Sequence, residues 1–283
     1  MRNRFVFHIN DQKEFVKKII FFTKEYTHTC LLDSNFSNYE VPAKYFQYDI
    51  IFAFDSIKNF VSEDNSLINL RSFYEKEKDW IFGFISYDLK NEIFNINSEN
   101  LDYFHNKSMS FFIPKHVFLL RGKRLIVESV ANQKEVSIVF KKIIDYQIDE
   151  KPLPKLNFLS RESKPQYLEK LKLIKNHIQR GDIYEMNFCQ EFYKENTVLS
   201  PQQLFYELNS ITKSPFATFL NLDSFNVVGS SPERYLLKKG DQIISQPIKG
   251  TSKRSSNPDE DLNLFNNLLY SAKDISENIM IVD

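Results

Sequence analysis

The stretch "FATFLNLDSFNVVGSSPERYLLKKGDQIISQPIKGT", residues 216–251, holds short β-rich runs separated by turn residues at "LDS", "SSPE" and "KKGD". Runs rich in Val, Ile, Leu, Phe and Tyr, punctuated this often, read as consecutive strands. The last turn folds "RYLLK" (234–238) back on "QIISQ" (242–246). Residues equally far from a hairpin turn meet at its open end, so Glu233 and Lys249 are expected to be neighbours. Pro232 and Pro247 interrupt the ladder there and loosen the register. An exposed carboxylate–ammonium pair is ordinarily a salt bridge contributing roughly 0–1 kcal/mol. A reactive pair needs a neutral amine, whereas an ordinary lysine, with a pKa of about 10.4, is protonated at neutral pH. Desolvation or nearby positive charge removes that proton. Pro247 and Ile248 offer an apolar setting, and Lys253 and Arg254 offer charge.

Upstream, "SPQQLFYELNSI" (200–211) reads as a helix with Ser200 before Pro201 at its start. "IYEMNFCQEFYKE" (183–195) alternates like a strand. Met186, Phe188 and Phe192 would share one face, and Glu185, Asn187, Cys189 and Glu191 the other. An amphipathic edge strand and a functional polar row fit that pattern about equally. Before it lies a helix: Ser163 caps it, Pro165 suits its first turn, and Gly181 ends it. Tyr167, Leu171, Ile174 and Ile178 give it one apolar face.

The Pro- and charge-rich segment "DEKPLPKLNFLSRESKP" (149–165) reads as a linker. It divides the chain into expected regions 1–150 and 151–283. The first region alternates strands and helices. "TCLLDSN" (29–35) is a strand entering a polar turn, and "YFQYDIIFAF" (45–54) is another strand. "DWIFGFISYDLKNEIF" (79–94) is a strand that ends in a turn or helix start. "HVFLLRGKRLIVESV" (116–130) is a hairpin. "EVSIVFKKIIDYQ" (135–147) has helical spacing at Val136, Val139, Ile143 and Ile144.

With 283 residues the chain is long enough for a sizeable core, and 27 Phe and 14 Tyr make that core aromatic. The 37 basic and 37 acidic residues cancel, which is not the footprint of a nucleic-acid binder. No apolar run is long enough to span a bilayer, and the N-terminus lacks a signal-peptide core. A cytoplasmic location is the expectation. Cys30 and Cys189 are the only cysteines, and no Cys or His cluster has metal-ligand spacing.

"GDIYEMNFCQEF" (181–192), "SSPERYL" (230–236), "PIKGTSKR" (247–254) and "SAKDISENIMIVD" (271–283) occur in that order. They resemble the successive motifs of the chorismate-utilising enzymes, which include anthranilate synthase component I and aminodeoxychorismate synthase component I. "LLDS" (31–34) and "GFISYDL" (83–89) resemble weaker signatures of that family's N-terminal region. The resemblance implies an α+β fold in which two antiparallel β-sheets pack as a sandwich with helices outside. Family members continue beyond the "ENIMIVD" motif, so it also implies that the C-terminal part of the domain is missing here.

Within the family the residue at position 249 is informative. The anthranilate and isochorismate enzymes usually carry Ala there, and the Lys form resembles the aminodeoxychorismate type. The resemblance then implies that Lys249 is a nucleophile toward chorismate and that Glu233 is a general acid for the departing 4-hydroxyl. Ammonia from a glutamine amidotransferase subunit would complete 4-amino-4-deoxychorismate, a precursor of 4-aminobenzoate and folate. Asn187, Gly250 and Thr251 match the substrate pocket, and Glu277 matches a ligand of Mg²⁺. Ser34 matches a position that binds tryptophan in some relatives and is equally suited to a structural role. Glu185 stands where many relatives have Gln, and its role stays open. Two other readings fit the same motifs: an anthranilate synthase component I, and a non-catalytic fragment that binds chorismate or a partner.

Overall fold

The computed structural model describes residues 1–35, 46–98, 100–223 and 225–282. Tyr45, the first residue of one expected strand, lies outside them. The elements run β1 (Asn3–His8), α1 (Gln12–Phe22), β2 (His28–Asp33), β3 (Ile50–Ser62), α2 (Ser66–Glu77), β4 (Phe82–Ile85), α3 (Leu89–Phe94), β5 (Met109–Arg121), β6 (Arg124–Ser129) and α4 (Gln133–Ile144). Then come β7 (Leu159–Ser160), α5 (Lys164–Arg180), β8 (Phe192–Tyr193), α6 (Pro201–Thr212), β9 (Phe216–Leu222), β10 (Phe225–Ser231), β11 (Arg234–Lys239), β12 (Gln242–Gln246), α7 (Pro258–Leu269) and α8 (Ala272–Val282). The fold is mixed α+β with antiparallel sheets, as expected. The chain groups into two compact units, one of residues 1–149 and 205–283, the other of residues 150–204.

The first unit is built on an eight-stranded sheet in the order β1-β6-β5-β3-β2-β9-β10, with β4 also pairing β5. Strand alternation buries both faces. On β2, β3 and β5, Leu31, Phe52, Phe54, Phe118 and Leu120 point to one side and meet Phe15, Ile19 and Phe22 of α1 and Val136 and Ile143 of α4. Cys30, Ala53, Val117 and Leu119, one residue out of phase, point to the other side and meet Phe82, Phe112 and Trp80. This period-two switch explains why the strands read as unbroken apolar runs. The aromatic content is used here: Phe54 stacks on Phe52 at 4.4 Å and meets Phe118 edge-on at 5.2 Å.

Helix α1 starts where Asp11 accepts from the Glu14 N–H at 3.0 Å, and α4 starts at Asn132 in the same way. The expected hairpin at 116–130 is β5–β6, closed by Gly122 with φ +55. Both β5 and its partner β3 are longer than the sequence suggests. They pair from Ile50–Leu120 to Ser62–Met109, with an irregularity between Ser56 and Lys58. Asp55, with φ +62, marks the kink.

In the second unit, α5 follows its expected bounds. Gln166 Oε1 accepts from the Ser163 N–H at 3.0 Å, and Gly181 has φ +80. The expected strand over 183–195 shrinks to β8, which pairs β7 from Leu159–Tyr193 to Ser160–Phe192. Side chains fix the rest of that segment instead of a ladder. Phe188 stacks on Tyr167 at 4.9 Å, Glu191 takes a bidentate pair from Arg161 at 2.9 Å, and Gln190 donates to the Glu162 carbonyl at 2.7 Å. Alternation alone does not make a strand when main-chain partners are lacking.

Candidate active site

The hairpin that carries two of the expected residues forms as read. β11 pairs β12 through Lys239–Gln242, Lys238–Ile243 and Leu237–Ile244, and the ladder ends at Arg234–Gln246. The two-residue turn places Gly240 at φ +59, a conformation that suits glycine. A bulge between Arg234 and Leu237 puts one extra residue on β11. Glu233 is therefore one residue beyond the last pair and Lys249 three beyond it, both at the open end. At that end Arg234 Nε donates to Gln246 Oε1 at 2.9 Å, and the Arg234 guanidinium lies 4.8 Å from the Phe216 ring centroid. The contact ties the mouth of the hairpin to the start of β9.

Glu233 is exposed, and its N–H donates to Ser231 Oγ at 3.2 Å in a tight turn. Lys249 is half-buried. The apolar setting expected from Pro247 and Ile248 is thin, because Ile248 is 48% exposed. The expected cationic neighbours are engaged elsewhere. Arg254 pairs with Asp261 of α7 at 2.6 Å, and Lys253 approaches Glu260 at 3.9 Å. Hydrogen bonds from Arg254 and the Ser255 N–H hold the Asp261 carboxyl down to about 2. These contacts anchor the loop that follows Lys249 to the first turn of α7.

Gly250 has φ +79, in the left-handed region. A Cβ there would lie 2.7 Å from Asp274 Oδ1 and 3.0 Å from Asp274 Cγ. The left-handed conformation favours glycine, and any side chain there would have to displace the Asp274 carboxylate. The same approach sets the Lys249–Thr251 loop against the first turn of α8, the helix that also carries Glu277. Thr251 is exposed. Glu277 is half-buried and pairs with Lys273 at 3.6 Å, one turn earlier. Asn187 is exposed and, with Glu185, belongs to the other unit.

Among the described residues, no group of three or more His, Cys, Asp or Glu side chains converges. Glu277 would supply one carboxylate to the expected Mg²⁺, a cation that usually keeps several waters and takes one or two protein carboxylates. Ser34 is buried, and both its N–H and Oγ donate to the Asp49 carbonyl, at 2.9 and 3.0 Å. A cleft of about 660 Å³ lies nearby, lined in part by Asp33, Asn35, Asp49, Tyr206 and Asn209. Ser34 does not line it. Asp274 is the residue that the motif reading passed over. Its signal was its position three residues before Glu277, which puts both carboxylates on one helix face.

The family profile described as chorismate binding enzyme matches residues 28–283. The chain belongs to that family. Among curated chorismate-enzyme relatives, aminodeoxychorismate synthase component 1 of Escherichia coli K12 is 37% identical over 124 residues, 44% of this chain and 27% of that protein. Anthranilate synthase component 1 of Lactococcus lactis is 29% identical over 210 residues, 72% of this chain and 45% of that protein. The matched segments thus span between about a quarter and a half of these relatives. In fold, the chain is similar to anthranilate synthase component I of Streptococcus pneumoniae. That match has TM-score 0.71 and 19% identity and covers 82% of this chain and 59% of that one. It is also similar to MenF, the menaquinone-specific isochorismate synthase of Escherichia coli, with TM-score 0.61 and 15% identity over 100% of this chain and 62% of that one. Among the described residues, no helix of the chain is long and apolar enough to cross a membrane.

Proposed function

We propose that this chorismate binding enzyme takes part in making 4-amino-4-deoxychorismate from chorismate and ammonia, with Lys249 as a covalent nucleophile. The observation that carries the reading is the lysine itself, in "PIKGT", on a loop between a hairpin and two helices. In the first step the Lys249 amine bonds to C2 of chorismate, the ring double bond shifts, and the C4–O bond breaks. Hydroxide is a poor leaving group, so a general acid must protonate it. Glu233, on the opposing arm of the hairpin mouth, is the candidate, and the hydroxyl leaves as water. In the second step ammonia bonds to C4, the double bond shifts back, and the C2–N bond to Lys249 breaks, with one proton passing from the incoming nitrogen to the departing Lys249 amine. Two allylic displacements replace one direct exchange, the usual gain from covalent catalysis. Gly250 and Thr251, beside Lys249, are candidate pocket residues, and Asn187 of the other unit matches a substrate-binding position of the family. A glutamine amidotransferase partner would supply the ammonia.

The test is mass spectrometry of the intact protein after incubation with chorismate without ammonia. The wild type should gain the mass of chorismate less one water, and Lys249→Ala should gain none. Equal labelling of the variant, or none of the wild type, defeats the lysine-nucleophile reading. The second reading, an anthranilate synthase component, is supported by a relative of that name that is 29% identical over 210 residues, 72% of this chain. It predicts a 2-amino product and unchanged turnover in Lys249→Ala. Chorismate binding with no product from either protein would identify a binding module instead.

A further inference from the structure

The close approach of Gly250 and Asp274 has a meaning beyond a glycine requirement. Lys249 lies in the loop between β12 and α7, three residues after the one and nine before the other. The same loop reaches α7 through Lys253 to Glu260 and Arg254 to Asp261. Between those anchors, the Asp274 side chain is what Gly250 lies against, within 3.0 Å of where a Cβ would sit. Asp274 is itself held. Ser271 Oγ accepts from its N–H at 3.3 Å, and the Ile275 N–H donates to the Ser271 carbonyl at 2.9 Å, so Ser271 caps α8. Asp274 is half-buried although it lies in a helix first turn whose neighbours Ala272, Lys273 and Ile275 are exposed.

The geometry points to Asp274 as a positioning residue whose side chain, packed on Gly250, sets the placement of Lys249 relative to α8. The side chain works as a shaped stop. A Cβ at position 250 would press on the Asp274 Oδ1, Cβ and Cγ, so the contact fits a glycine in the left-handed conformation. The chemical consequence rests on the reading of Lys249 as the nucleophile, but the contact does not. A nucleophile held about an ångström out of place loses on the order of a hundredfold in rate.

The test compares Asp274→Ala, Asp274→Asn, Gly250→Ala and the double variant Gly250→Ala/Asp274→Ala. Two rates at Lys249 are read: uptake of chorismate mass, and acetylation by acetic anhydride followed by peptide mapping. Asp274→Ala should slow chorismate uptake on the order of a hundredfold, with the half-saturating chorismate concentration unchanged. Asp274→Asn, which keeps the shape, should recover most of that loss. The double variant should outperform Gly250→Ala alone, because the colliding carboxylate is gone. A capping role alone would lower the unfolding midpoint and leave both rates intact, overturning the proposal. Strictly multiplicative effects in the double variant would overturn it too. If wild-type Lys249 takes up no chorismate, the nucleophile reading fails, and the acetylation rates of the four variants still decide whether Asp274 positions the loop.

Discussion

His116 shows how one core residue sets a limit on the molecule. It is 2% exposed on β5, stacks on Phe54 at 5.0 Å, and its Nδ1 lies 2.9 Å from Ser129 Oγ. Burial, helped by the positive charges of Lys115 and Arg2, lowers its pKa from 6.5 to about 4. The unfolded chain therefore binds this proton more readily than the folded one. Its contribution is complete above about pH 6.5 and is lost as pH falls towards 4, by about 3 kcal/mol in all. Urea midpoints measured at pH 7 and pH 4.5 should differ less in His116→Gln than in the wild type; equal differences would contradict this account. At the candidate site, Lys249, Gly250 and Thr251 were legible from their motif because it is contiguous. The approach of Asp274 to Gly250 was not, because it joins residues from two elements and spacing within one helix does not reveal it.

At the scale of elements, local chemistry was readable and length was not. The turn glycines Gly122 and Gly240 and the cap Gly181 all take the positive φ their positions suggest. The far halves of β3 and β5 were missed because Lys58 and Asn59 are exposed and polar, and only their pairing with Ile113 and Phe112 makes them strand. The reverse error fell on 183–195, which alternates without a partner strand along most of its length. Gly83 of β4 explains why "GFISYDL" begins with glycine. It pairs with Phe111 of β5, and a Cβ would overlap the Ser110 carbonyl and come within 2.6 Å of Phe111 Cα. Gly83→Ala should cost about 1–3 kcal/mol in urea unfolding, through backbone displacement. A loss within a few tenths of a kcal/mol would show that β4 yields freely.

At the scale of the molecule, the eight-stranded sheet joins sequence-distant strands. β2 is flanked by β3 on one side and by β9 on the other, where Leu31 faces Phe219. The sequence showed both strands and gave no sign that they were neighbours, since pairing across such a separation leaves no local trace. Residues 1–149 expressed alone would present β2 as an open, apolar edge. Light scattering should find that fragment associated, and a stable monomer would show the edge to be protected. During synthesis the same arrangement imposes an order. The ribosome delivers β1 to β6 first, and β2 then waits with one side unpaired until β9 emerges. Over that interval the edge stays open to pairing with other chains, as slowly completed sheets do.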